Sequence, residues 1–292
     1  MDISALNAFL AVARYQSFSK ASEVLHLSQS AVSKRIAALE FELNTQLFNR
    51  VSRQISLTEA GKQLLPKADE LVQQAEELHR YASTLNDDIS GTLSIAIAHH
   101  IGLHRLPPIL RHFNQEYPQV HLDLRFEDSD QGFYAVEQGD IEFALITLPN
   151  TTPKQLHREV VWQDELNIVV GNEHELAKQG FVRVQDLEKY PAVLSSSDSE
   201  TYKIIRRLFD KAGCDLKVQM QTNNLETLKM LSAAGLGWSL LPITMLDRQL
   251  KTLEFKTPLH RELGLLRHRR RSLSNAALAF KELLMRDIDS NA

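Results

Sequence analysis

The sequence contains a single cysteine, Cys214, among 292 residues. One thiol can neither form a disulfide within the chain nor complete a cysteine-rich zinc module, and such sparing use of cysteine is typical of a reducing cytoplasm. We therefore expect a cytoplasmic protein in which Cys214 is a buried structural thiol, with redox sensing as the alternative.

Long apolar runs and an excess of charge are also missing. No stretch approaches the roughly 18 apolar residues that cross a bilayer, and the N-terminus lacks the basic region and cleavage site of a secretory signal, so we expect no membrane association. The 33 Lys and Arg against 37 Asp and Glu give a formal net charge of −4. Any binding of nucleic acid must therefore come from a local basic patch.

The N-terminal segment has the periodicity of short packed helices. Residues 3–15 carry apolar side chains at three- and four-residue spacing, which predicts an amphipathic helix. Two shorter helices follow in SFSKASEVLHLSQSAVSKRIAALEFEL, and Ser28 is the predicted N-cap of the second. Two β-like runs, Gln46–Phe48 and Gln54–Leu57, come next. The sequence thus predicts three helices and a hairpin in residues 1–58.

Polar and basic residues crowd the start of the helix that follows Ser28: Gln29, Ser30, Ser33, Lys34 and Arg35. A helix with such a start, joined by a turn to a preceding helix, is typical of major-groove readers, in which amide, hydroxyl and cationic groups contact base edges. Arg50 and Arg53 on the hairpin could hold phosphates or enter the minor groove. The alternative is a solvated basic helix on an unrelated bundle.

One long helix is predicted for residues 59–89, with Thr58 as its N-cap and a kink at Pro66. Two series recur every seven residues along it, one of leucines and one of small residues: Leu64, Leu71, Leu78 and Leu85, and Gly61, Ala68, Ala75 and Ala82. This heptad spacing indicates a helix that pairs with a second copy of the chain. Packing within the chain is the alternative.

Residues 90–292 alternate strand-like runs with helices, which predicts parallel sheets with crossover helices in two lobes. The predicted strands are residues 93–98, 120–126, 143–147, 166–170, 192–194, 218–221, 238–241 and 263–266.

The words SFSKASEVLHLSQSAVSKRIAALEFEL and LFNRVSRQISLTEAGKQLL resemble, in order and spacing, the winged helix-turn-helix signature of the LysR-type transcriptional regulators. A looser resemblance through GTLSIAIA, RLPPILRHFNQEYPQVHLDLRF, EQGDIEFALI and SAAGLGWSLLP extends it over essentially the whole chain. It implies an α/β protein with a mostly α winged helix-turn-helix, a linker helix and a two-lobed effector-binding domain like the periplasmic binding proteins. Lobe one would span about residues 90–161 and 267–292, and lobe two about 162–266.

The resemblance also implies a function. The chain would be a bacterial-type transcriptional regulator rather than an enzyme, binding double-stranded promoter DNA as a homodimer through residues 59–89. A homotetramer, as a dimer of dimers, and contact with RNA polymerase are further expectations. Gln29, Ser30, Ser33 and Lys34 fall where family members contact bases and backbone, and Arg50 and Arg53 fall in the wing. Where Lys34 stands arginine is common, and lysine lacks the planar fork for a bidentate guanine contact.

A ligand of a two-lobed α/β sensor is expected between the lobes, where strand ends and free helix amides favour anions. We expect a small anionic effector there, and neither a cofactor nor a bound metal. The candidate effector-binding residues follow predicted strands or begin predicted helices: His99, His100, Thr147, Leu148, Ser195, Ser196, Ser197, Thr201, Asn223 and Asn224. The hydroxyl and amide groups among them could equally be ordinary helix caps.

The segment AIAHHIGLH admits three interpretations. His100 and His104 have the spacing of a metal clamp, but no third ligand lies nearby in sequence. Catalysis would need an oriented partner group, which no spacing supplies. We expect instead that His99 or His100 binds the anionic effector, so that affinity falls as rising pH removes the imidazole charge. A metal-binding sensor or a cytosolic enzyme on a binding-protein fold is the alternative function.

Overall fold

The computed structural model describes residues 2–51, 54–84 and 89–291. The chain divides into two compact units, Met1–Leu85 and Asn86–Ala292. Among the described residues, no helix has the length and apolar character that crossing a membrane requires.

The first unit consists of helices around a hairpin: α1 (Ile3–Tyr15), α2 (Phe18–Val24), α3 (Gln29–Glu42), β1 (Phe48–Val51), β2 (Gln54–Leu57) and α4 (Glu59–Thr84). Both predicted N-caps are confirmed, because Ser28 Oγ accepts from the Ala31 amide at 3.2 Å and Thr58 Oγ1 from the Gly61 amide at 2.9 Å. The antiparallel hairpin is also confirmed, but its first strand begins at Phe48, two residues later than predicted.

A buried carboxylate joins α3 to the hairpin. Glu40 is 6% exposed, and its Oε1 accepts hydrogen bonds from the amides of Leu47 at 2.8 Å and Phe48 at 3.3 Å. The Phe48 ring packs edge-on against Phe9 of α1, with centroids 5.5 Å apart. These contacts hold the hairpin at a set position beside α3.

The two heptad series of α4 have different environments. Ala68 is 5% exposed in the core of the first unit, and a Cβ on Gly61 would come within 2.3 Å of the Leu47 carbonyl oxygen. The start of the small-residue series therefore packs within the chain, which corrects its assignment to a pairing surface. Leu71 and Leu78 are 39% and 69% exposed. Leu85 lies outside the described residues.

The second unit begins with three parallel strands and the helices between them: β3 (Gly91–Ala98), α5 (His99–His104), α6 (Pro107–Glu116), β4 (Val120–Glu127), α7 (Ser129–Gln138) and β5 (Phe143–Thr147). It continues with β6 (Leu156–Gly171), β7 (Phe181–Val182), α8 (Val184–Leu187), β8 (Ala192–Leu194), α9 (Glu200–Ala212), β9 (Val218–Gln221) and α10 (Leu225–Ala233). The last elements are β10 (Ser239–Pro242), β11 (Leu250–Phe255), β12 (Leu259–His268) and α11 (Asn275–Asn291).

The sheet is mixed, which corrects the expectation of wholly parallel pairing. Its order is β4-β3-β5-β12-β6-β11-β7, with β10 also paired to β6. Strands β3, β4 and β5 are parallel, as are β8 and β9 in a separate sheet. Strand β12 instead runs antiparallel to both β5 and β6, and β10 and β11 run antiparallel to β6.

Strands β6 and β12 connect two lobes. The first lobe packs β3, β4, β5 and helices α5, α6, α7 and α11 around Phe113 and Phe280, whose centroids lie 5.1 Å apart. The second lobe packs around Trp238, which stacks on Phe209 at 5.7 Å. The register of β6 and β12 shifts at Gly264, where a Cβ would meet the Glu159 carbonyl oxygen at 2.1 Å. Glycine is therefore required where the paired strands pass between lobes.

Candidate functional site

The exposed start of α3 presents the predicted DNA-contacting residues. Gln29, Ser30 and Lys34 are exposed, while Val32 and Ile36 on the opposite side are fully buried in the core. Burial of that apolar side leaves the polar side free to enter a groove.

Of the three predicted arginines, the structure describes Arg35 and the backbone of Arg50. Ser33 and Arg35 are half-buried. The pKa of Asp2 at the start of α1 is lowered mainly by hydrogen bonds from Ser4 and also by the charge of Arg35, so this arginine lies towards α1. Arg50 belongs to β1, where its backbone pairs with Ile55. Arg53 lies outside the described residues.

The second unit contains a cavity of about 380 Å³ between its lobes. This volume suits a small molecule. Ends of four strands reach the cavity: Ala98 of β3, Glu127 of β4, Thr147 of β5 and, just after β8, Ser195. Residues of both lobes therefore surround one space.

Six of the ten predicted effector-binding residues line the cavity: His99, His100, Thr147, Ser195, Thr201 and Asn223. His100 Nε2 lies 3.3 Å from Thr147 Oγ1, and the Thr147 amide donates to Ser129 Oγ at 3.1 Å.

The other four predicted residues lie outside the cavity lining, which revises the expected set. Leu148 is 3% exposed and its amide donates to the Glu262 carbonyl. Ser196 contributes its backbone amide, which donates to Asn223 Oδ1 at 3.0 Å. Ser197 lines a separate surface depression. Asn224 is the N-cap of α10, and its Oδ1 accepts from the Thr227 amide at 2.9 Å.

A buried charge cluster at the cavity escaped the sequence-based prediction. Asp164 on β6 is 2% exposed and lies directly opposite Arg261 on β12, with Arg261 Nε donating to Asp164 Oδ2 at 2.8 Å. Arg105 Nη2 donates to the other carboxylate oxygen at 2.8 Å. Arg261 Nη1 donates to Thr201 Oγ1 of α9 at 2.9 Å. The cluster holds two cations around one anion.

Arg261 has a hydrogen-bond donor that no described residue uses. It lines the cavity with a side chain only 4% exposed, and its Nη2 has no hydrogen-bond partner among the described residues. Burial lowers the pKa of Arg261 and the Asp164 charge opposes that effect, but a guanidinium stays protonated in proteins. The sequence does contain a pattern that indicates burial of Arg261. In a strand-like run, Leu259, Arg261 and Leu263 share one side, so the arginine lies between two leucines on the same side.

His100 does not supply the positive charge that the sequence suggested. Burial, and then the charge of Arg261, hold the pKa of His100 well below its usual value. Its imidazole is therefore neutral at physiological pH. This argues against His100 as the group whose titration makes effector affinity fall with rising pH, and favours it as a neutral hydrogen-bonding partner. For His99 the same expectation stays a prediction.

Several hydrogen bonds join the lobes around the cavity. Asn223 Nδ2 of the second lobe donates to Asp128 Oδ2 of the first at 3.1 Å, and Asn150 Nδ2 donates to Glu200 Oε2 at 3.0 Å. His104 Nε2 lies 3.1 Å from Glu226 Oε1 of α10, so His104 contacts the other lobe rather than a shared metal site with His100. Within the described residues, no group of three or more His, Cys, Asp or Glu side chains is placed to hold a metal ion.

Comparisons with known proteins match both units. Residues 3–62 match the family model "Bacterial regulatory helix-turn-helix protein, lysR family", and residues 86–288 match "LysR substrate binding domain". A probable RuBisCO transcriptional regulator of Cyanidium caldarium is 30% identical over 240 residues, which cover 80% of this chain and 76% of that protein.

Solved structures show the same fold. A full-length OxyR variant from Pseudomonas aeruginosa has a TM-score of 0.71 at 19% identity, and the match covers 99% of this chain and 94% of that one. The effector-binding domain of QuiR in complex with shikimate has a TM-score of 0.63 at 18% identity, and the match covers 69% of this chain and 99% of that one. Together with the two family matches, these findings show that the chain belongs to the LysR family of DNA-binding transcriptional regulators and that its second unit is the effector-binding domain of that family.

Proposed function

We propose that this regulator acts in the cytoplasm, binds promoter DNA as a homodimer, and responds to a small anionic effector held between the lobes of its second unit. The observation that carries the anionic assignment is Arg261, which lines the cavity and whose buried Nη2 has no hydrogen-bond partner in the described part of the chain. Guanidinium groups pair with carboxylates through two parallel hydrogen bonds, so a carboxylate would satisfy this donor.

The neighbours of Arg261 support this assignment. Asp164 is shared between Arg105 and Arg261, so the three side chains carry a formal charge of one positive unit. An effector anion would compensate that remaining charge in a region of low dielectric. His100 and Thr147 would supply neutral hydrogen-bonding groups beside it. The response would require no cofactor and no chemical conversion of the effector.

Arg261 also suggests how binding would be transmitted. The residue is on β12, which runs through both lobes, and it contacts Thr201 on a helix of the second lobe. An effector that binds one lobe arrangement more tightly shifts the population towards that arrangement. In a dimer, such a shift would change the spacing of the paired DNA-binding modules and couple effector binding to promoter geometry.

The exposed leucines of α4 support the homodimer. Leu71 and Leu78 are separated by seven residues and are 39% and 69% exposed, so burial of what remains exposed would stabilise each by about 0.6–2 kcal/mol. A second copy of α4 would bury them in a heptad contact. The dimer-of-dimers assembly and a contact with RNA polymerase remain proposals by analogy with the family.

The proposal is tested with the full-length protein and DNA from upstream of its own gene. Small carboxylates and their uncharged amide counterparts are added separately to a thermal-unfolding assay and to a gel shift. We expect at least one carboxylate, and not its amide, to raise the midpoint of unfolding and alter the DNA complex. Arg261→Lys should weaken that effect, because a lysine cannot replace the planar fork. Equal responses to carboxylates and amides would contradict the anionic assignment, and an unshifted promoter fragment would contradict the regulatory role.

A further inference from the structure

The cavity is lined by charges of both signs. Its acidic residues outnumber its basic ones: Glu127, Asp128, Asp130, Asp198 and Glu200 against Lys203 and Arg261. A purely anionic molecule near Arg261 would therefore also face several carboxylates. Whether those carboxylates are already compensated decides which ligand the cavity favours.

Two of the acids already have partners. Glu200 Oε1 accepts from Lys203 Nζ at 2.8 Å, and its other oxygen accepts from Asn150. Asp128 is the N-cap of α7 in a capping box and also accepts from Asn223 at 3.1 Å. Helix caps and ion pairs account for these two carboxylates without any ligand.

Glu127 is different. It ends β4, and its Oε1 is buried with no hydrogen-bond partner among residues 2–51, 54–84 and 89–291. Burial raises the pKa of Glu127, and the charge of Arg125 opposes that effect without cancelling it. A buried acceptor without a donor costs free energy, so a cationic donor placed here would gain more than it would in water.

Glu127 and Arg261 face the cavity from separate positions in the sheet. Glu127 pairs with Ala98 of β3, and the sheet continues through β5 to β12, which carries Arg261. Through the register of β5, Glu127 lies level with Gly264 of β12, three residues from Arg261. Three strand spacings of about 4.8 Å and three residues of about 3.4 Å along β12 therefore place the two backbones roughly 18 Å apart. Both residues line the one cavity, and this separation leaves room there for a small molecule with charged groups at two positions.

Aromatic side chains line the same cavity as Glu127. Phe133 and Tyr134 of α7 line the cavity, and their rings meet edge to face with centroids 5.8 Å apart. Aromatic faces attract ammonium groups, in addition to the attraction of the carboxylate. The cavity therefore combines the two kinds of group that recognise a small organic cation.

We infer that the effector is a zwitterion of the amino-acid class, with its carboxylate at Arg261 and a protonated amino group at Glu127. The inference rests on the proposed effector function and narrows it from an anion to a molecule that carries both charges. A simple carboxylate would satisfy Arg261 and leave Glu127 without a donor. An amine without a carboxylate would do the reverse.

The test is a binding comparison on the full-length protein by thermal unfolding and calorimetry. The probes are the twenty common L-amino acids, each with its matched carboxylate lacking the amino group and its matched amine lacking the carboxylate. We expect at least one amino acid to bind about tenfold or more tightly than both of its matched compounds, since each charge-assisted hydrogen bond contributes on the order of that factor.

Glu127→Gln keeps the size of the side chain and removes its charge, so it should reduce the preference of the amino acid over its matched carboxylate by about tenfold. Glu137→Gln is the matched control, because Glu137 lies on α7 and is not part of the cavity lining. It should leave the preference unchanged. The wild-type comparison stands by itself if the Glu127 variant does not fold.

Three other outcomes would refute the zwitterion, the role of Glu127, or the anionic effector itself. Matched carboxylates that bind as tightly as the amino acids would refute the zwitterion while leaving the proposed anionic effector intact. An amino-acid preference that persists in Glu127→Gln would refute the assignment of Glu127. Failure of every amino acid and carboxylate to bind would overturn both the inference and the anionic effector.

Discussion

Replacement of Asp164 by asparagine tests the charge cluster on which the effector site depends. Asp164 and Arg261 have side chains 2% and 4% exposed, and Asp164 accepts hydrogen bonds at 2.8 Å from both Arg261 and Arg105. The asparagine side chain would keep one acceptor oxygen but would remove the only negative charge in that trio. The Arg261 guanidinium would then be buried without a counter-charge.

The expected cost follows from the burial of each partner. Removing one partner of a buried ion pair costs about 3–5 kcal/mol. Arg105, with a side chain 22% exposed, can turn towards solvent and adds at most about 1 kcal/mol. In a unit of this size, 1 kcal/mol lowers the midpoint of thermal unfolding by about 2–4 °C. Asp164→Asn should therefore lower the midpoint of the second unit by roughly 6–24 °C.

Differential scanning calorimetry of the full-length variants measures this effect. Asp210→Asn is the matched control, because Asp210 pairs with Arg206 on α9 while 54% exposed and should cost less than about 1 kcal/mol. The double variant Asp164→Leu with Arg261→Met should recover much of the loss, since it removes both charges together. A midpoint for Asp164→Asn within about 2 °C of the Asp210→Asn value, the shift expected from roughly 1 kcal/mol or less, would refute the assignment of a buried, mutually dependent cluster.

Three further predictions follow from the two units. His100 has a pKa well below its unfolded value near 6.5, so the unfolded chain binds more protons as pH falls below about 7 and stability is lost in that direction. In His100→Gln the free energy of unfolding should therefore fall less between about pH 7.5 and 5.5 than in the wild type, by up to about 1.4 kcal/mol per pH unit. Chemical denaturation measures this difference, and the exposed His260→Gln, as the control, should match the wild type. Lys34→Ala should weaken DNA binding and reduce the salt slope by about one, measured by fluorescence anisotropy, while Lys178→Ala in the second unit should change neither. Leu78→Glu should convert a dimer into a monomer in light scattering without lowering the thermal midpoint of the first unit, and a variant that remains dimeric would contradict pairing through α4.

Sequence patterns predicted those helix ends and strands that depend only on residues close together in the chain. Ser28 and Thr58 were predicted as N-caps because a hydroxyl next to an apolar repeat meets amides of the same turn, and both hydrogen bonds are present. Strands Phe143–Thr147 and Ala192–Leu194 were predicted with their observed limits, since each is a fully buried apolar run. Strand β11 was missed because polar side chains interrupt its two buried leucines.

The assignment of the heptad series depended on contacts that sequence spacing does not report. Seven-residue spacing predicted one pairing surface, but Gly61 and Ala68 pack within the first unit while Leu78 remains exposed. Spacing shows which residues share a side of a helix. Which neighbour covers that side is determined by the packing of α1 and β2 against it.

The sequence by itself determined the family, the helix that carries Gln29 to Lys34, and six of the residues that line the interlobe cavity, because these depend on motif order and on strand and helix ends. Only the tertiary structure decided the electrostatics of that cavity. Arg261 and Asp164 are 97 residues apart and become a pair through the antiparallel register of β6 and β12. Burial and the nearby charge of Arg261 lower the pKa of His100, so the positive charge at the cavity is carried by the guanidinium and not by the imidazole. A pKa depends on such surroundings, which no local sequence pattern contains.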